Sequence, residues 1–338
     1  MTVPSRRSAR RNTVTVNPGR QESGLSALIR GTGAADLVSW LSENSDTVTE
    51  LAHSSGAVLF RGFGIDSPDM FRSVMAGLSR DVLDYGERSS PRHEITQGIY
   101  TSTDHPADQH IALHNEQSYT LDWPLRIVFC CQQPATAGGR TPLADSRRVL
   151  ARLSAPTVAR FRELGVRYVR NYLPGISLPW QVAFQTGSRA EVESYCAQHD
   201  ISCVWADGEQ LRTWQVRPAI RRHPGTGEET WFNHALFFNN ATLAGEVGDG
   251  LLAAVGEDNL PYHTYFGDGS AIPADIIAEI QEAYRAETVG FDWERGDVLL
   301  VENMLVAHAR EPFEGPRRIL TAMADRWSSV PAAAGAGR

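Results

Sequence analysis

The chain has 338 residues, of which 42% are hydrophobic, and its formal net charge is −8 at pH 7. This length and apolar content are sufficient for a substantial core, in one large domain or in two smaller ones. The negative net charge argues against nucleic acid as a partner. No stretch approaches the roughly 18 consecutive apolar residues of a membrane-spanning helix, so we expect no membrane partner either.

Cysteine usage and the N-terminus indicate the compartment. Two of the four cysteines, Cys130 and Cys131, are adjacent within the apolar run RIVFCC, a context typical of buried free thiols rather than of a disulfide. The first residues lack the apolar core of a secretory signal peptide. We therefore expect reduced cysteines and a cytoplasmic protein.

The two ends of the chain differ from its body. Residues 1–21 are polar and arginine-rich, which predicts a disordered tail. The alternative is a basic arm that docks on an acidic carrier protein. Residues 22–330 are predicted to form a single domain, and residues 331–338 a flexible C-terminal tail.

Hydrophobic periodicity and turn residues predict the main elements. Residues 56–63 (GAVLFRGF) are an apolar run bounded by glycines, which indicates a short buried strand. Ser67 followed by Pro68 is a helix start signal, and residues 124–131 (PLRIVFCC) are typical of a core strand. Helices are predicted at residues 35–54, 69–78, 146–165, 188–198, 208–213 and 273–286.

The central motif is LHNEQSY at residues 113–119. His114 and Glu116 are two residues apart, a spacing that puts both side chains on one face of a strand. This motif alone is a weak signal, because it often arises by chance. A second histidine, His308, ends an apolar run far downstream. Two histidines and one carboxylate are the ligand set of non-haem Fe(II) oxygenases, so we predict a metal site made of these three residues.

A pair of arginines, Arg317 and Arg318, follows a Gly-Pro turn downstream of His308. A guanidinium group at this place could hold a dicarboxylate co-substrate through a bidentate salt bridge. Adjacent residues of a strand point to opposite faces, so only one of the two can do so. From its position relative to His308 we predict Arg318.

The order and spacing of these motifs resemble the taurine dioxygenase and clavaminate synthase superfamily of Fe(II)/2-oxoglutarate-dependent oxygenases. The sequence looks most similar to its natural-product hydroxylases, such as the syringomycin aspartate hydroxylase. The resemblance extends from about residue 56 to residue 327. It rests on VLFRGFG (58–64), YTSTDHPADQHIALHNEQSYTLDWP (100–124), PATAGGRTPLADSR (134–147), HPGTGEETWFN (223–233) and ENMLVAHAREPFEGPRRIL (302–320).

The resemblance implies a mixed α/β chain with a mainly β core, namely a double-stranded β-helix (jelly roll) with flanking helices. It also implies a helical and loop lid at about residues 168–220. Fe(II), 2-oxoglutarate and O2 would be the cofactor and co-substrates, and Thr141 in the segment GGRT would bind 2-oxoglutarate together with Arg318. The resemblance places Arg92 and Tyr100 against the substrate. Arg310 is a further candidate, either as a substrate contact or as a residue that supports the site.

The expected reaction is hydroxylation of an unactivated carbon in an amino acid or an amino-acid-derived substrate, free or bound to a peptidyl carrier protein. Succinate and CO2 would be released. Glu116 argues against halogenation, because halogenases of this chemistry leave that ligand position to chloride. Desaturation and epoxidation remain alternatives, and the sequence leaves the oligomeric state open.

Other interpretations of the motif are weaker. Two histidines and a glutamate can also bind Zn²⁺ in a hydrolase, although Arg318 and Thr141 would then have no role. A binding protein with a vestigial site is a third interpretation. His234 is a rival metal ligand, but its spacing from Arg318 does not fit the pattern and favours a core or supporting histidine.

Overall fold

The computed structural model of the chain describes residues 13–19, 26–83, 94–96, 98–102, 105–206, 208–242 and 246–329. The strands are β1 (Thr13–Asn17), β2 (Ala27–Thr32), β3 (Ala57–Arg61), β4 (Val82–Leu83), β5 (Glu94–Thr96), β6 (Ile99–Thr101), β7 (Ile111–His114), β8 (Asp122–Gln133), β9 (Ala137–Gly138), β10 (Leu143–Asp145), β11 (Val166–Tyr172), β12 (Ser202–Trp205), β13 (Leu211–Arg217), β14 (Ile220–Arg222), β15 (Glu229–Trp231), β16 (Tyr262–Phe266), β17 (Thr288–Val289), β18 (Val298–Glu302), β19 (Val306–Arg310), β20 (Phe313–Glu314) and β21 (Arg318–Ser328). The α-helices are α1 (Leu37–Ser55), α2 (Pro68–Leu78), α3 (Ser146–Arg152), α4 (Ala155–Leu164), α5 (Trp180–Ala183), α6 (Arg189–Gln198), α7 (Glu246–Val255) and α8 (Ala274–Glu287), and two short 3₁₀ helices span Asn240–Thr242 and Glu257–Asn259.

The largest sheet in the described residues has nine strands, in the order β1-β2-β3-β18-β8-β21-β6-β5, with β4 paired to β21. Its central strands are covered on both faces, which explains why they are continuous apolar runs in the sequence. In β18, Val298 and Leu300 pack with helices α1 and α2, whereas Leu299 and Val301 face the opposite side. Each central strand therefore contributes to two cores.

A second sheet, in the order β17-β10-β19-β7, packs against the first. Leu143 of β10 and Val306 of β19 share an apolar cluster with Phe129 and Ile319 of the larger sheet. Two sheets thus face each other over a common core, which agrees with the mainly β core predicted from the sequence. The strands β7 and β19 of this second sheet carry the two predicted histidine ligands.

The first two helices agree with the sequence prediction. Asp36 caps α1 by accepting a hydrogen bond from the backbone N of Val38, and Ser67 caps α2 in the same way from Met70. Helix α1 ends at Gly56, whose φ of 82° lies in the left-handed region. A Cβ at that position would lie 2.3 Å from Cγ2 of Val306, so glycine is also required by packing.

The single helix predicted at residues 146–165 is two helices, α3 and α4. Leu153 ends α3, and Ser154 begins α4 by accepting a hydrogen bond from the backbone N of Thr157. Pro156 lies in the first turn of α4, where its missing N–H costs nothing. Ser154 and Pro156 form a helix start signal within an otherwise helical pattern, and this signal explains why the predicted single helix is divided.

The segment predicted as a lid, residues 168–220, is largely a sheet. Strands β12, β13 and β11 pair in this order and are joined by β16. The helix predicted at residues 208–213 is wrong, because Leu211–Arg217 is strand β13. Its residues alternate between more and less buried positions, and this period of two was present in the sequence LRTWQVR.

The disordered tail predicted for residues 1–21 is wrong for Thr13–Asn17, which forms β1 and pairs antiparallel with β2. Residues 1–12, 20–21 and 331–338 lie outside the described residues. All four cysteines are free, as expected, and burial raises the pKa of Cys130 and of Cys131 to about 12. In the described ranges, no helix has the length and apolar character needed to cross a membrane.

Candidate metal centre and its cavity

The structure brings the three predicted metal ligands together where β7 meets β19. These strands pair antiparallel with His308 opposite His114, and the two ring centroids are 4.4 Å apart. One ligand atom of each of His114, Glu116 and His308 lies within 4.8 Å of the others. Strand β7 ends at His114, so Glu116 lies in the following turn and not on the strand. The expected strand geometry was therefore wrong, although the residues converge.

The hydrogen bonding and burial of these three residues suit them to bind a cation. Nδ1 of His114 donates to the carbonyl O of Ala112 at 2.9 Å, which leaves Nε2 with its lone pair toward the site. Metal-binding histidines are commonly oriented by such a bond. Glu116 is buried, and a bound cation would stabilise its carboxylate. Two imidazoles and a carboxylate fit Fe(II) in particular.

Asn303 fixes the backbone of Glu116 from the turn between β18 and β19. Its side-chain Oδ1 accepts from the backbone N of Glu116 at 2.7 Å, and its Nδ2 donates to the carbonyl O of the same residue at 2.9 Å. Nδ2 also donates to the carbonyl O of Pro124 at 2.8 Å. Both peptide groups of the ligand residue are thus held by one buried side chain. We call this arrangement the Asn303 clamp. No motif in the sequence indicated this role for Asn303.

A second cluster, His53, His223 and Glu302, also has ligand atoms within 4.8 Å of one another. Its hydrogen bonds argue against a metal. Nδ1 of His223 accepts from two backbone N–H groups at 3.2 and 3.0 Å, so the proton of the neutral ring is on Nε2, which faces Glu302 at 3.6 Å. Glu302 is already paired with Arg126, whose Nε is 3.1 Å away. We assign this cluster a structural role.

The metal-ligand group lies on the wall of a cavity of about 530 Å³, a size typical of small-molecule sites. Two parts of the lining have different chemistry. We call Thr141, Arg310 and Arg317 the basic wall. The aromatic wall consists of His234, Phe237, Phe238, Thr242, Leu251 and Tyr262.

The structure places Arg317, and not Arg318, on the basic wall. Arg317 is half-buried immediately before β21 and lines the cavity, whereas Arg318 begins the strand and is exposed. A β-bulge between Arg318 and Ile319 interrupts the strand alternation at this point. The choice of Arg318 is therefore corrected to Arg317. Burial, together with the nearby charge of Arg310, lowers the pKa of Arg317 to about 10. Within the described part of the chain no carboxylate forms an ion pair with it, so the wall fits an anionic co-substrate.

Thr141 lies on the same wall, as the sequence predicted. Its Oγ1 accepts a hydrogen bond from Nε1 of Trp293 at 3.1 Å, which orients the hydroxyl group. Nε of Arg317 donates to the carbonyl O of Gly139 at 3.1 Å, so the arginine is tied to the chain segment that carries Thr141. Trp293 is an additional supporting residue that no motif in the sequence indicated.

The three residues expected to contact the substrate have different positions. Arg310 lines the cavity, but its guanidinium group donates to three backbone carbonyls of residues 105–109 and thereby holds that loop. Tyr100 is buried against Met323 and is not among the lining residues. Arg92 lies outside the described residues.

The aromatic wall comes from residues 234–262, and the predicted lid at 168–220 supplies none of the described lining residues. The ring of Phe237 lies 4.8 Å from that of His114, and the ring of His234 5.9 Å from it. Nδ1 of His234 is 2.6 Å from Oγ of Ser118, and burial lowers the pKa of His234 well below its ordinary value. His234 is therefore a neutral wall residue beside the ligand set. The run HALFFNN was a signal that could have located this wall.

A two-sheet core with two histidines and one carboxylate in a cavity, together with a half-buried arginine, defines a non-haem Fe(II) oxygenase site. Comparison with known sequences gives the family. Residues 23–323 match the taurine catabolism dioxygenase TauD, TfdA family, and the chain belongs to this family.

Two relatives are similar over most of their length. The dapdiamide synthesis protein DdaC of Enterobacter agglomerans is 42% identical over 278 residues, which cover 82% of this chain and 84% of the relative. A clavaminate synthase-like protein of Arabidopsis thaliana is 32% identical over 286 residues, covering 81% of this chain and 82% of the relative.

Solved structures share the fold. PvcB, an Fe, alpha-ketoglutarate dependent oxygenase from an isonitrile synthetic pathway, matches with a TM-score of 0.54 at 14% identity, over 96% of this chain and 94% of that one. AAD-2, solved in complex with Mn(II) and N-oxalylglycine, matches with a TM-score of 0.54 at 12% identity, over 92% and 97%. At these identities the likeness concerns the fold alone.

Family membership and the ligand group identify the protein as an Fe(II)/2-oxoglutarate-dependent dioxygenase. Fe(II) is its cofactor and 2-oxoglutarate its co-substrate. The zinc-hydrolase and binding-protein interpretations are therefore not retained.

Proposed function

We propose that the protein hydroxylates an unactivated carbon of an amino-acid-derived substrate in a natural-product pathway. The observation that carries this proposal is the convergence of His114, Glu116 and His308 in a cavity that is also lined by half-buried Arg317. Arg317 has no ion-pair partner among the described residues and can bind an anionic co-substrate. The name of the relative DdaC, which refers to dapdiamide synthesis, supports the natural-product context.

Each residue has a defined task in this proposal. His114, Glu116 and His308 would hold Fe(II), and the Asn303 clamp would fix the position of the carboxylate ligand. Arg317 would pair with the distal carboxylate of 2-oxoglutarate, with Thr141 as a hydrogen-bonding neighbour. When bound, iron and 2-oxoglutarate supply O2-dependent oxidation coupled to the release of succinate and CO2.

Glu116 favours hydroxylation over halogenation, because the carboxylate occupies the position that a halide would need. Desaturation and epoxidation use the same ligand set and are the competing outcomes. The mass of the product separates them, since hydroxylation and epoxidation add one oxygen atom and desaturation removes two hydrogens. A substrate tethered to a peptidyl carrier protein is part of the proposal.

The first experiment is anaerobic reconstitution with Fe(II), followed by addition of 2-oxoglutarate. We expect a weak charge-transfer band in the visible spectrum, because bidentate chelation needs the three-residue iron site. His308→Ala should abolish the band. His199→Ala is the control, since His199 stacks on Tyr195 outside the cavity and should leave the band unchanged.

The opposite result is equally informative. If wild-type protein gives no band, and Zn²⁺ binds with no response to 2-oxoglutarate, the assignment of the co-substrate site is wrong. If the band forms but no succinate appears with any amino-acid-derived compound, the substrate class is wrong while the iron site stands.

A further inference from the structure

The aromatic wall of the cavity is mainly apolar. Its described side chains are Phe237, Phe238, Thr242, Leu251 and Tyr262, together with His234, and none of them carries a carboxylate or a guanidinium group. This wall adjoins the metal-ligand group directly, because the rings of Phe237 and His114 are 4.8 Å apart. The aromatic wall therefore borders the space beside the metal-ligand group.

Packing keeps this wall in place. The ring of Phe238 stacks on that of Tyr262 at 4.7 Å with an interplanar angle of 15°. The rings of His234 and Phe237 meet edge to face at 5.1 Å, and Tyr119 contacts the ring of His234 from behind at 5.0 Å. These ring contacts fix the side chains of the wall, so a charged side chain from another part of the protein has little room to reach this surface.

The charged groups of the described lining lie outside the aromatic wall. Of the described lining residues, Glu116 alone carries a carboxylate, and it belongs to the metal-ligand group. Arg310 keeps its positive charge, but three of its N–H groups donate to backbone carbonyls of residues 105–109 and not to the aromatic wall. Arg317 serves the co-substrate in the function proposed above. The described side chains of the aromatic wall therefore offer no carboxylate or guanidinium group to a substrate.

Two histidines, His105 and His110, also line the cavity. Both interact with the charge of Arg310 on the basic side, and neither belongs to the aromatic wall. Burial is the main cause that lowers the pKa of each ring, and the charge of Arg310 acts in the same direction.

We propose that the part of the substrate that lies against the aromatic wall, beside the metal centre, is a neutral acyl or amide group and that any charged amino-acid headgroup lies away from this wall. An ionised group there would lose its hydration without gaining a partner, whereas an amide keeps hydrogen bonds to Thr242 or His234 and packs on the rings. This inference rests on the proposed function and specifies its substrate class.

The test compares three probes of nearly equal shape: hexanamide, hexanoate and hexylamine. Each is titrated calorimetrically into protein loaded with Mn(II) and 2-oxoglutarate, so that binding is measured without turnover. We expect hexanamide to bind at least about tenfold more tightly than either charged probe. Equal or tighter binding of hexanoate or hexylamine would overturn the proposal, and so would the absence of hexanamide binding.

A charge placed on the wall gives a second test. Leu251 lines the cavity, whereas its neighbour Leu252 is outside the lining and 41% exposed. Leu251→Lys should raise the affinity for hexanoate relative to hexanamide by about tenfold, and the matched variant Leu252→Lys should leave the ratio unchanged. An equal effect of both variants would show that the wall does not select for charge, and the proposal would fail.

The same titration separates this inference from the proposed function. Binding of 2-oxoglutarate to the metal-loaded protein is measured before any probe is added. Failure of that step contradicts the proposed co-substrate site. Normal 2-oxoglutarate binding followed by preference for a charged probe contradicts the neutral substrate group alone.

Discussion

At the scale of single residues, the two adjacent arginines show how one position in the chain decides function. Arg318 begins β21 and is exposed, whereas Arg317, immediately before that strand, lines the cavity. A β-bulge between Arg318 and Ile319 interrupts the strand alternation, so the apolar pattern of β21 does not select between the two arginines. The hydrogen bond from Nε of Arg317 to the carbonyl O of Gly139 holds Arg317 at the segment that carries Thr141.

Replacement of Arg317 tests this assignment. Arg317→Ala should raise the KM for 2-oxoglutarate roughly ten- to hundredfold, because a buried charge-assisted hydrogen bond to a carboxylate is lost. Steady-state succinate release at varied 2-oxoglutarate measures the effect. The matched control is Arg318→Ala, which should change KM by less than about twofold since its side chain is exposed. A larger effect at Arg318 would restore the original sequence prediction.

At the scale of elements, the turn from β18 to β19 has two neighbouring buried residues with different partners. Glu302 pairs with Arg126 in the histidine cluster, while Asn303 clamps the backbone of Glu116. The turn thus connects a structural ion pair to the metal-ligand group. Two single substitutions can separate these tasks.

Asn303→Asp keeps the size of the side chain but removes the N–H donors to the carbonyls of Glu116 and Pro124. We expect the affinity for Fe(II) or Mn(II) to fall roughly ten- to hundredfold, because supporting groups of metal ligands typically contribute that much. Competition with a chelator measures it. Glu302→Gln is the control and should lower the melting temperature with little change in metal affinity. Equal losses of metal affinity in both variants would mean that Asn303 acts only through stability.

Strands and helices were predictable from the sequence where the apolar run and its terminating or capping residues were both present. The glycine-bounded run at 56–63 contains β3, and Ser67 does cap α2. The prediction is wrong at β13, because the helix predicted at residues 208–213 overlaps a strand with alternating burial. A strand of that length is defined by its partners β11 and β12, which the local sequence does not identify.

At the scale of the whole molecule, His263 on β16 links stability to pH. Its Nδ1 accepts from the backbone N of Asn240 at 3.2 Å, and its Nε2 lies 3.2 Å from Oε1 of Glu257. Burial is the main cause that lowers the pKa of His263 from its ordinary value of 6.5, and the nearby Glu257 opposes this only in part. Below about pH 6.5, His263 is therefore protonated to a greater extent in the unfolded chain than in the folded chain. The free energy of unfolding consequently falls as the pH decreases.

This effect is measurable by urea unfolding at pH 7.5 and pH 5.5. In His263→Gln the loss of unfolding free energy between the two pH values should be smaller than in wild type by up to about 1 kcal/mol, since one titrating group is removed. Parallel pH profiles of the two proteins would contradict the direction of this pKa shift.

The sequence by itself determined the ligand types, the cofactor class and the central buried strands. His114, Glu116 and His308 could be selected because their chemistry and order are specific, even though the expected strand geometry at Glu116 was wrong. Residue chemistry and short-range periodicity are properties of the chain alone. The tertiary structure decided which arginine faces the cavity, that Arg310 holds a loop, and that residues 234–262 form the wall beside the metal centre. These facts depend on which sheet or loop packs against each residue, and a local pattern does not contain that information.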